Sequence, residues 1–327
     1  MTMRTLILGA LSVALACAQE PTFRANVPVV LVPVTVTDHK GKMVDGLQAG
    51  DFELLADGKK VEFRMDAADA VVAPLAIVIA IQTNDLSGPA NLKVRKIGSL
   101  IQPLLTGNRG RAAVIGYGDT TAALTDFTRD PDQLHAAFER TVASQGSTAA
   151  RQIDAVADAA RMLSSRPANE RKILILVGES KDRGSKTKLA DALKLLEREA
   201  ITVYAATWSP YETAFTTKGT DMPQGGGDSM NILAGLGEIG RLGKQDSART
   251  LVKATGGEKL SFSTLKGLEK SVSRMGEELH SQYLLSFQLP QTQAGFHTLD
   301  VRVLNKAGLT VRARAGYWSG DVAEARE

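Results

Sequence analysis

The chain of 327 residues is long enough for two or three domains, and its 43% hydrophobic content can build real cores. Its formal net charge is only +3, its basic residues are dispersed and aromatic residues make up 5% of the chain, which argues against a nucleic-acid-binding surface. No run in the sequence is long and apolar enough to predict a transmembrane segment.

The N-terminus has the pattern of a secretory signal. Arg4 precedes an apolar stretch, 6–16, and an Ala-x-Ala cleavage site ends at Ala18. We therefore expect residues 1–18 to be a signal peptide, cleaved after Ala18, and the protein to be secreted or periplasmic.

The single cysteine, Cys17, lies within this signal. Cleavage removes it and leaves a mature chain without disulfides, which suits an oxidising compartment. The alternative is a lipoprotein anchored at Cys17, although Ala14 fits a lipidation motif poorly.

The segment after the signal, 19–72, predicts a small β module. Residues 29–37 are rich in β-branched side chains, and Pro33 among them favours an edge strand or a bulge. Two shorter strands are predicted at 51–55 and 60–65. So few strands cannot bury a comfortable core alone.

Strands alternate with helices from 73 to 281, which is typical of a doubly wound, mostly parallel sheet. The run Leu75–Ile81 is entirely apolar, as expected of a strand buried on both faces. Further strands are predicted at 112–117, 172–177 and 201–207, and helices at 92–105, 130–142, 148–163, 189–200, 247–255 and 265–279.

Three more strands are predicted near the C-terminus, at 283–289, 297–304 and 309–315. We expect 282–318 to pack with the N-terminal β module, which places a small β module built from both chain ends beside the α/β domain; 319–327 would be a tail.

One long segment, 209–244, shows no clear periodicity, and loops of this length are usually functional or disordered. Its large apolar side chains, Tyr211, Phe215 and Met222, would gain most from burial at an interface, so we expect them to bind a partner. Packing of the loop onto its own domain is the alternative.

Several phrases carry a resemblance through their order and spacing. They are Val32–Asp38, Asp51-Phe52, Asp57-Gly58, Arg171–Val177, Ala254–Gly257, Glu277–Leu285 and Ala313–Trp318. Together they resemble the bacterial secreted family related to von Willebrand factor type A (VWA) domains, first described from acidobacteria. The resemblance covers nearly all of the mature chain and implies a VWA α/β domain framed by β segments. The role of that family is poorly defined.

The resemblance also implies a divalent-metal site, with ligands from two loops and from the end of the fourth strand. The first-loop positions hold Gln82, Asn84 and Leu86, the second loop keeps Thr148, and Gly178 stands where an Asp is expected. Mg²⁺ requires compact oxygen coordination that includes carboxylates. We therefore expect a degenerate site with no bound metal or other cofactor.

A rebuilt site is the alternative. Asp85, Ser87, Thr148 and Glu179 would gather a cation weakly, and the protein would be a metal-dependent adhesion module. This requires several ligands to shift by one residue at once.

Catalytic groups are sparse in the sequence. The four histidines, His39, His135, His280 and His297, show no metal-ligand spacing, and we expect a structural role for each. Ser180 follows a strand as hydrolase nucleophiles do, but it lacks the second glycine of a nucleophile elbow. No glycine-rich nucleotide motif follows the first α/β strand. A hydrolase using Ser180 or a displaced metal remains the alternative to a non-enzyme.

The sequence thus predicts a secreted, non-catalytic VWA-like module that binds an unidentified protein in the envelope or extracellular space. Contacts are expected from the loops 82–88, 144–148, 178–186 and 209–244. The charged segment 181–188 is consistent either with recognition of an acidic partner or with a solvated loop. A structural role in an envelope assembly is a third possibility.

Overall fold

A computed structural model describes residues 29–66, 74–142, 146–167, 169–208, 246–289, 294–304 and 306–319. The predicted signal peptide, the alternative anchor at Cys17 and the loop residues Tyr211, Phe215 and Met222 lie outside the described residues.

The strands of this part of the chain are β1 (Val29–Thr37), β2 (Phe52–Ala56), β3 (Lys59–Lys60), β4 (Arg64–Asp66), β5 (Leu75–Gln82), β6 (Arg111–Tyr117), β7 (Thr121–Thr128), β8 (Arg171–Glu179), β9 (Thr202–Trp208), β10 (Lys259–Ser261), β11 (Tyr283–Gln288), β12 (Gly295–Val303), β13 (Thr310–Ala313) and β14 (Gly316–Ser319). The α-helices are α1 (Gly88–Val94), α2 (Pro131–Glu139), α3 (Gln152–Ser164), α4 (Leu189–Arg198), α5 (Ser247–Thr255) and α6 (Leu265–Ser281). Helix α1 continues into a 3₁₀ segment, Arg95–Leu100, and a π segment, Gln102–Thr106.

A six-stranded sheet forms the centre of the fold, in the order β10–β9–β8–β5–β6–β7. All neighbours are parallel except the edge pair β6–β7. Counted from β5, this is the 3-2-1-4-5-6 order of doubly wound sheets. The predicted fold class is confirmed. Two strands were not predicted from the sequence: β7, whose residues alternate irregularly and stay half-exposed, and the three-residue β10.

The central strand β5 is buried along its whole length and supplies both faces of the sheet. Because successive side chains point to opposite faces, Ala76, Val78 and Ala80 pack in the core with α3, α4 and α5. Ile77, Ile79 and Ile81 pack in the opposite core with α1, α2 and α6. The small alanines let the alanine-rich helix α3 approach the sheet closely.

Helix boundaries follow local capping chemistry where it is present. Helix α5 starts after Asp246, whose Oδ1 accepts from the Arg249 N–H at 2.8 Å, and it ends at Gly256 in the left-handed conformation (φ 81°). Both ends match the prediction. Helix α3 starts at Gln152 instead of at 148, because Ala150 is drawn into a β-bridge with Arg183.

The flanking β module consists of two four-stranded sheets, β13–β1–β11–β4 and β14–β12–β2–β3. Each sheet combines strands from both chain ends: β1 and β4 pair with β11, and β2 pairs with β12. A shared core lies between the sheets and includes Val32, Leu54, Leu285, Val301 and Tyr317. A β module built from both chain ends is thereby confirmed.

Strand β1 is not the edge strand that Pro33 suggested. It lies between β11 and β13, but β13 pairs only with residues 34–37. Strand β1 therefore has a single neighbour at Pro33, so a residue without an N–H is tolerated there.

The β module packs at the amino-terminal edge of the central sheet. Arg171, at the start of β8, donates from Nη1 to the Leu279 carbonyl at 2.8 Å, at the end of the helix that leads into β11. Near the other end of the module, Trp318 Nε1 donates to Glu197 Oε2 at 3.1 Å, at the end of α4.

A buried carboxylate joins the β module to the α/β domain. Glu278 of α6 is completely buried and accepts from Thr35 Oγ1 at 3.0 Å and from Tyr204 Oη at 2.8 Å. Arg312 of β13 forms a close ion pair with it. Burial raises the pKa of Glu278, and the Arg312 charge opposes that rise.

No helix in the described ranges is long and apolar enough to cross a membrane.

Candidate functional site

The candidate site lies where β5 and β8 end side by side. In a sheet of this order, the connections from these two strands leave towards opposite faces, and a crevice forms at their carboxyl ends. Gln82 ends β5 and Glu179 ends β8. The predicted metal-site positions therefore fall at the switch point of the sheet.

The amide of Gln82 is fully engaged by its neighbours. Its Nε2 donates to Asn84 Oδ1 at 2.9 Å and to Glu179 Oε2 at 3.1 Å, while its Oε1 accepts from the Glu179 N–H at 2.8 Å. All three residues are buried. An amide bridges here because it both donates and accepts, which an aspartate in its place could not do.

The first and second loops are joined by hydrogen bonds. Asn84 Nδ2 donates to the Thr148 carbonyl at 3.0 Å, and Asp85 Oδ2 accepts from the Gly146 N–H at 2.8 Å. Ser87 Oγ turns inward to the Asn84 carbonyl at 2.5 Å. Leu86 is half-buried. These side chains hold the loops in place.

Gly178 is required by the packing around it. A Cβ at this position would lie 2.1 Å from the Tyr117 hydroxyl and 2.9 Å from Gln82 Oε1. Tyr117 is fully buried, its hydroxyl has no hydrogen-bond partner within the described ranges, and burial raises its pKa. The space that an aspartate at 178 would need is therefore filled by Tyr117 and Gln82.

Glu179 is held by a charged partner as well as by Gln82. Arg183 Nη2 lies 2.7 Å from Glu179 Oε1; the carboxylate side chain is 3% exposed and the guanidinium side chain 30% exposed. The Glu179 carbonyl accepts from Gln152 Nε2 at 2.9 Å, and Ser247 Oγ in turn donates to Gln152 Oε1 at 2.7 Å. The Glu179 carboxylate is therefore paired with a cation inside the protein.

The residues of the proposed rebuilt site have contacts with other protein groups. Of the four residues of the rebuilt site, Asp85 binds the second loop, Ser87 faces inward, the Thr148 carbonyl accepts from Asn84, and Glu179 pairs with Arg183. Among the residues that the structure describes, no three His, Cys, Asp or Glu side chains are grouped so as to hold a metal.

The segment 180–188 is held rigidly against the start of α3. Ala150 and Arg183 exchange backbone hydrogen bonds of 3.0 and 2.8 Å. Asp154 accepts from the N–H groups of Lys186 and Thr187, at 3.1 and 2.8 Å. Partial burial opposes its charged form, but these hydrogen bonds still lower the pKa of Asp154. The segment 180–188 and the start of α3 therefore present a surface that is ordered before any partner binds.

Two exposed apolar side chains lie beside this edge. Leu92 of α1 is 61% exposed and Val142, just before the second loop, is 60% exposed. A hydrogen bond links the segments that carry them: Arg95 Nε, one turn beyond Leu92, donates to the carbonyl of Thr141, next to Val142, at 3.1 Å.

A serine–histidine–aspartate chain occurs elsewhere, in the β module. His297 Nδ1 lies 2.6 Å from Asp57 Oδ2, and His297 Nε2 lies 2.7 Å from Ser319 Oγ. The ring stacks on Tyr317, with centroids 5.1 Å apart. His297 and Ser319 are 8% and 4% exposed. This cluster was not predicted, because no sequence motif links residues so far apart along the chain.

The serine predicted as an alternative nucleophile has a different environment. The Ser180 carbonyl accepts from the Ala248 N–H at 3.1 Å and from Ser247 Oγ at 3.2 Å, which ties the end of β8 to α5.

No family model and no curated protein matches the chain. Among solved structures, the chain is similar to a von Willebrand factor type A protein from Catenulispora acidiphila (11% identity, covering 91% of this chain and 76% of that chain, TM-score 0.48). It is also similar to an aerotolerance-related membrane protein from Bacteroides fragilis (11% identity, TM-score 0.45) and to BatB from Bacteroides thetaiotaomicron (14% identity, TM-score 0.43). Each of these two matches covers 62% of this chain and 99% of the other chain. The likeness concerns the fold alone.

Proposed function

We propose that the protein is an exported, non-catalytic VWA-like module that binds another protein through its strand-end surface. The strand-end surface is the exposed part of 82–88, 146–148 and 178–188. The observation that carries the proposal is the mutual saturation of Gln82, Asn84 and Glu179 at the switch point. Groups that metal chemistry or catalysis would need are used to fix the shape of the surface.

A fixed surface suits recognition for an energetic reason. Ordering a loop or a long side chain on binding costs free energy, and a surface that is already ordered avoids much of that cost. The bridge between Ala150 and Arg183 and the Asp154 contacts supply this order.

The exposed apolar residues Leu92 and Val142 would extend the strand-end surface on the α1 side. Isolated apolar residues are common on protein surfaces. Here, however, two of them adjoin the same edge, where a partner can bury both together with the loops.

Export rests on the N-terminal pattern that ends at Ala18. The absence of metal rests on the packing at Gly178, where Tyr117 leaves no room for the carboxylate. The long loop residues Tyr211, Phe215 and Met222 belong to the proposal as further partner contacts.

Site-specific photo-crosslinking tests the proposed surface. A benzophenone amino acid is placed at Thr148 in the strand-end surface, and a matched probe at Lys60 in the β module, which is also exposed. We expect a discrete crosslinked partner in the envelope fraction from Thr148 alone. A partner captured equally from Lys60, or from Lys60 only, would move the interface away from the strand ends.

Hydrolysis is a second candidate function, favoured by the chain Asp57–His297–Ser319. Ser319 Oγ would attack the carbonyl carbon of an ester while His297 Nε2 takes its proton, and Asp57 would stabilise the imidazolium that forms. The ester C–O bond would then break, the imidazolium would give the proton to the leaving alcohol, and water would hydrolyse the acyl-serine by the same route. Burial of Asp57 opposes its ionisation, but hydrogen bonds from His297 and Thr298 lower its pKa. The burial of Ser319 argues for a structural tie instead.

A fluorophosphonate probe separates these two roles. It labels activated serines, so labelling that disappears in Ser319→Ala and persists in Ser180→Ala would support hydrolysis at the β module. The opposite pattern would support Ser180. We expect no labelling of the wild-type protein.

A further inference from the structure

We propose that the strand-end surface recognises an acidic segment of its protein partner through a basic lip formed by Lys181, Arg183, Lys186 and Lys188. This inference rests on the proposed function and names the chemistry of the partner.

The charges of this segment are unequally available. It carries the four basic residues of the lip and two acidic residues, Glu179 and Asp182. Glu179 is buried against Arg183, and Asp182 accepts from the Ile153 N–H at 3.0 Å and from Ser185 Oγ at 2.5 Å. Both acidic side chains therefore make internal contacts, whereas the three lysines of the lip face solvent.

The lysines of the lip have no ion-pair partner within the part of the chain that the structure describes. Lys181, Lys186 and Lys188 are exposed, and none of them forms an ion pair with any residue in the described ranges. The backbone of Lys186 is fixed by Asp154, so its side chain projects from an anchored position.

Arg183 is the expected anchor for a carboxylate. Its Nη2 is bound to Glu179, which fixes the plane of a guanidinium that remains 30% exposed. A guanidinium has five N–H donors in a flat fork that matches a carboxylate. An oriented fork with remaining donors can therefore bridge the internal Glu179 and an incoming acidic side chain.

The far side of the same surface explains why the partner is a peptide segment and not an anionic membrane. Asp85 and Asp119 are exposed on the loops after β5 and β6. A uniformly negative surface would be repelled there. A peptide can place its acidic residues on the lip and polar or basic residues beside Asp85.

Fluorescence anisotropy with a labelled decaglutamate peptide tests the lip on the purified protein. We expect saturable binding at about 20 mM NaCl that weakens about tenfold or more at about 200 mM, because exposed charges are screened by salt. Replacing Lys181→Glu together with Lys186→Glu should weaken binding about tenfold or more, through lost attraction and new repulsion. Arg183→Lys should weaken it severalfold, since a lysine cannot present the fork.

The matched control is Lys59→Glu with Lys60→Glu, which reverses two exposed lysines in the β module. It should leave binding unchanged, and thermal unfolding of every variant checks that the fold is intact. No saturable binding at low salt, or an equal loss in the control, would overturn the inference. So would tighter binding of a heparin fragment or of phosphatidylglycerol vesicles than of the peptide.

The two proposals fail separately. If the peptide does not bind but crosslinking from Thr148 still captures a partner, the acidic chemistry is wrong and the strand-end surface stands. If the peptide binds the lip while crosslinking maps the partner to Lys60, the surface is basic but is not the interface of that partner.

Discussion

Tyr117 and Gly178 are complementary across two strands of the central sheet. The Tyr117 hydroxyl would lie 2.1 Å from any Cβ at 178, although 60 residues separate the two positions in the chain. The glycine at 178 and the buried tyrosine at 117 are therefore parts of one arrangement, because a side chain at 178 would collide with the Tyr117 hydroxyl.

Gly178→Asp should destabilise the protein by about 3 kcal/mol or more, because it forces a charged group against a buried hydroxyl in a filled space. Tyr117→Ala should relieve part of this loss, so the double variant should be more stable than the sum of the single effects predicts. Urea denaturation of the four proteins in the cycle measures this coupling. Strict additivity of the two effects would show that Tyr117 does not exclude a side chain at 178.

Millimolar Mg²⁺, Ca²⁺ or Mn²⁺ should leave the thermal midpoint of the wild-type protein unchanged. The reason is that Gln82, Ser87 and Glu179 already bind protein groups. A specific ligand at one hundred times its Kd would add about 2.7 kcal/mol and would be readily visible. A clear metal-dependent rise that Thr148→Ala abolishes would instead support the rebuilt site.

Glu278→Ala should destabilise the protein by about 3 kcal/mol, because it removes the buried counter-charge of Arg312, a mostly buried guanidinium that keeps only a longer ion pair of 3.8 Å with Glu258. Thr35 and Tyr204 would also lose an acceptor. Glu277→Ala is the matched control, since its side chain is exposed on the same helix and should cost little. Denaturant unfolding measures both. Equal effects would mean that the buried network does not join the β module to the α/β domain.

The stability of the protein should depend on pH through Glu197. Burial raises the pKa of this carboxyl to about 7, from an ordinary value of 4.5. The folded protein therefore ionises Glu197 less readily than the unfolded chain does, and this group lowers stability progressively as pH rises from about 4.5 to about 7.

Glu197→Gln should remove that loss, with a gain of up to about 3 kcal/mol at about pH 8 and little change near pH 4.5. The amide oxygen can still accept from Trp318 Nε1. Urea denaturation at both pH values measures the difference, with the exposed Glu277→Gln as control. A gain that is the same at both pH values would assign the effect to packing instead of to ionisation.

Local chemistry made part of the fold predictable. The apolar run of β5 can be satisfied only by burial on both faces, and Asp246 and Gly256 mark the ends of α5 by capping. Strand β7 was missed because its half-exposed side chains show no regular alternation. The early start predicted for α3 was wrong because a tertiary bridge at Ala150 overrides helix propensity.

The candidate site was predictable in position but not in construction. The resemblance placed Gln82 and Gly178 at the strand ends, and the structure brings them together. The roles of Tyr117 and Arg183 depend on contacts between strands and loops, which local sequence patterns do not encode. The same holds for the cluster around His297, which joins Asp57 to a strand from the other end of the chain.

The pairing of β1 with β11 has a consequence for the order of folding. Val29 lies opposite Gln288, so the first strand of the β module pairs with a strand that is synthesised more than 200 residues later. During synthesis, β1 stays unpaired until β11 has emerged, while the contacts within 74–281 can already form. Contacts so distant along the chain form slowly and leave a strand edge exposed in the meantime. A nascent chain that stalls before residue 288 should therefore contain an assembled central sheet and an unpaired, aggregation-prone β1. A chaperone would have to shield that strand.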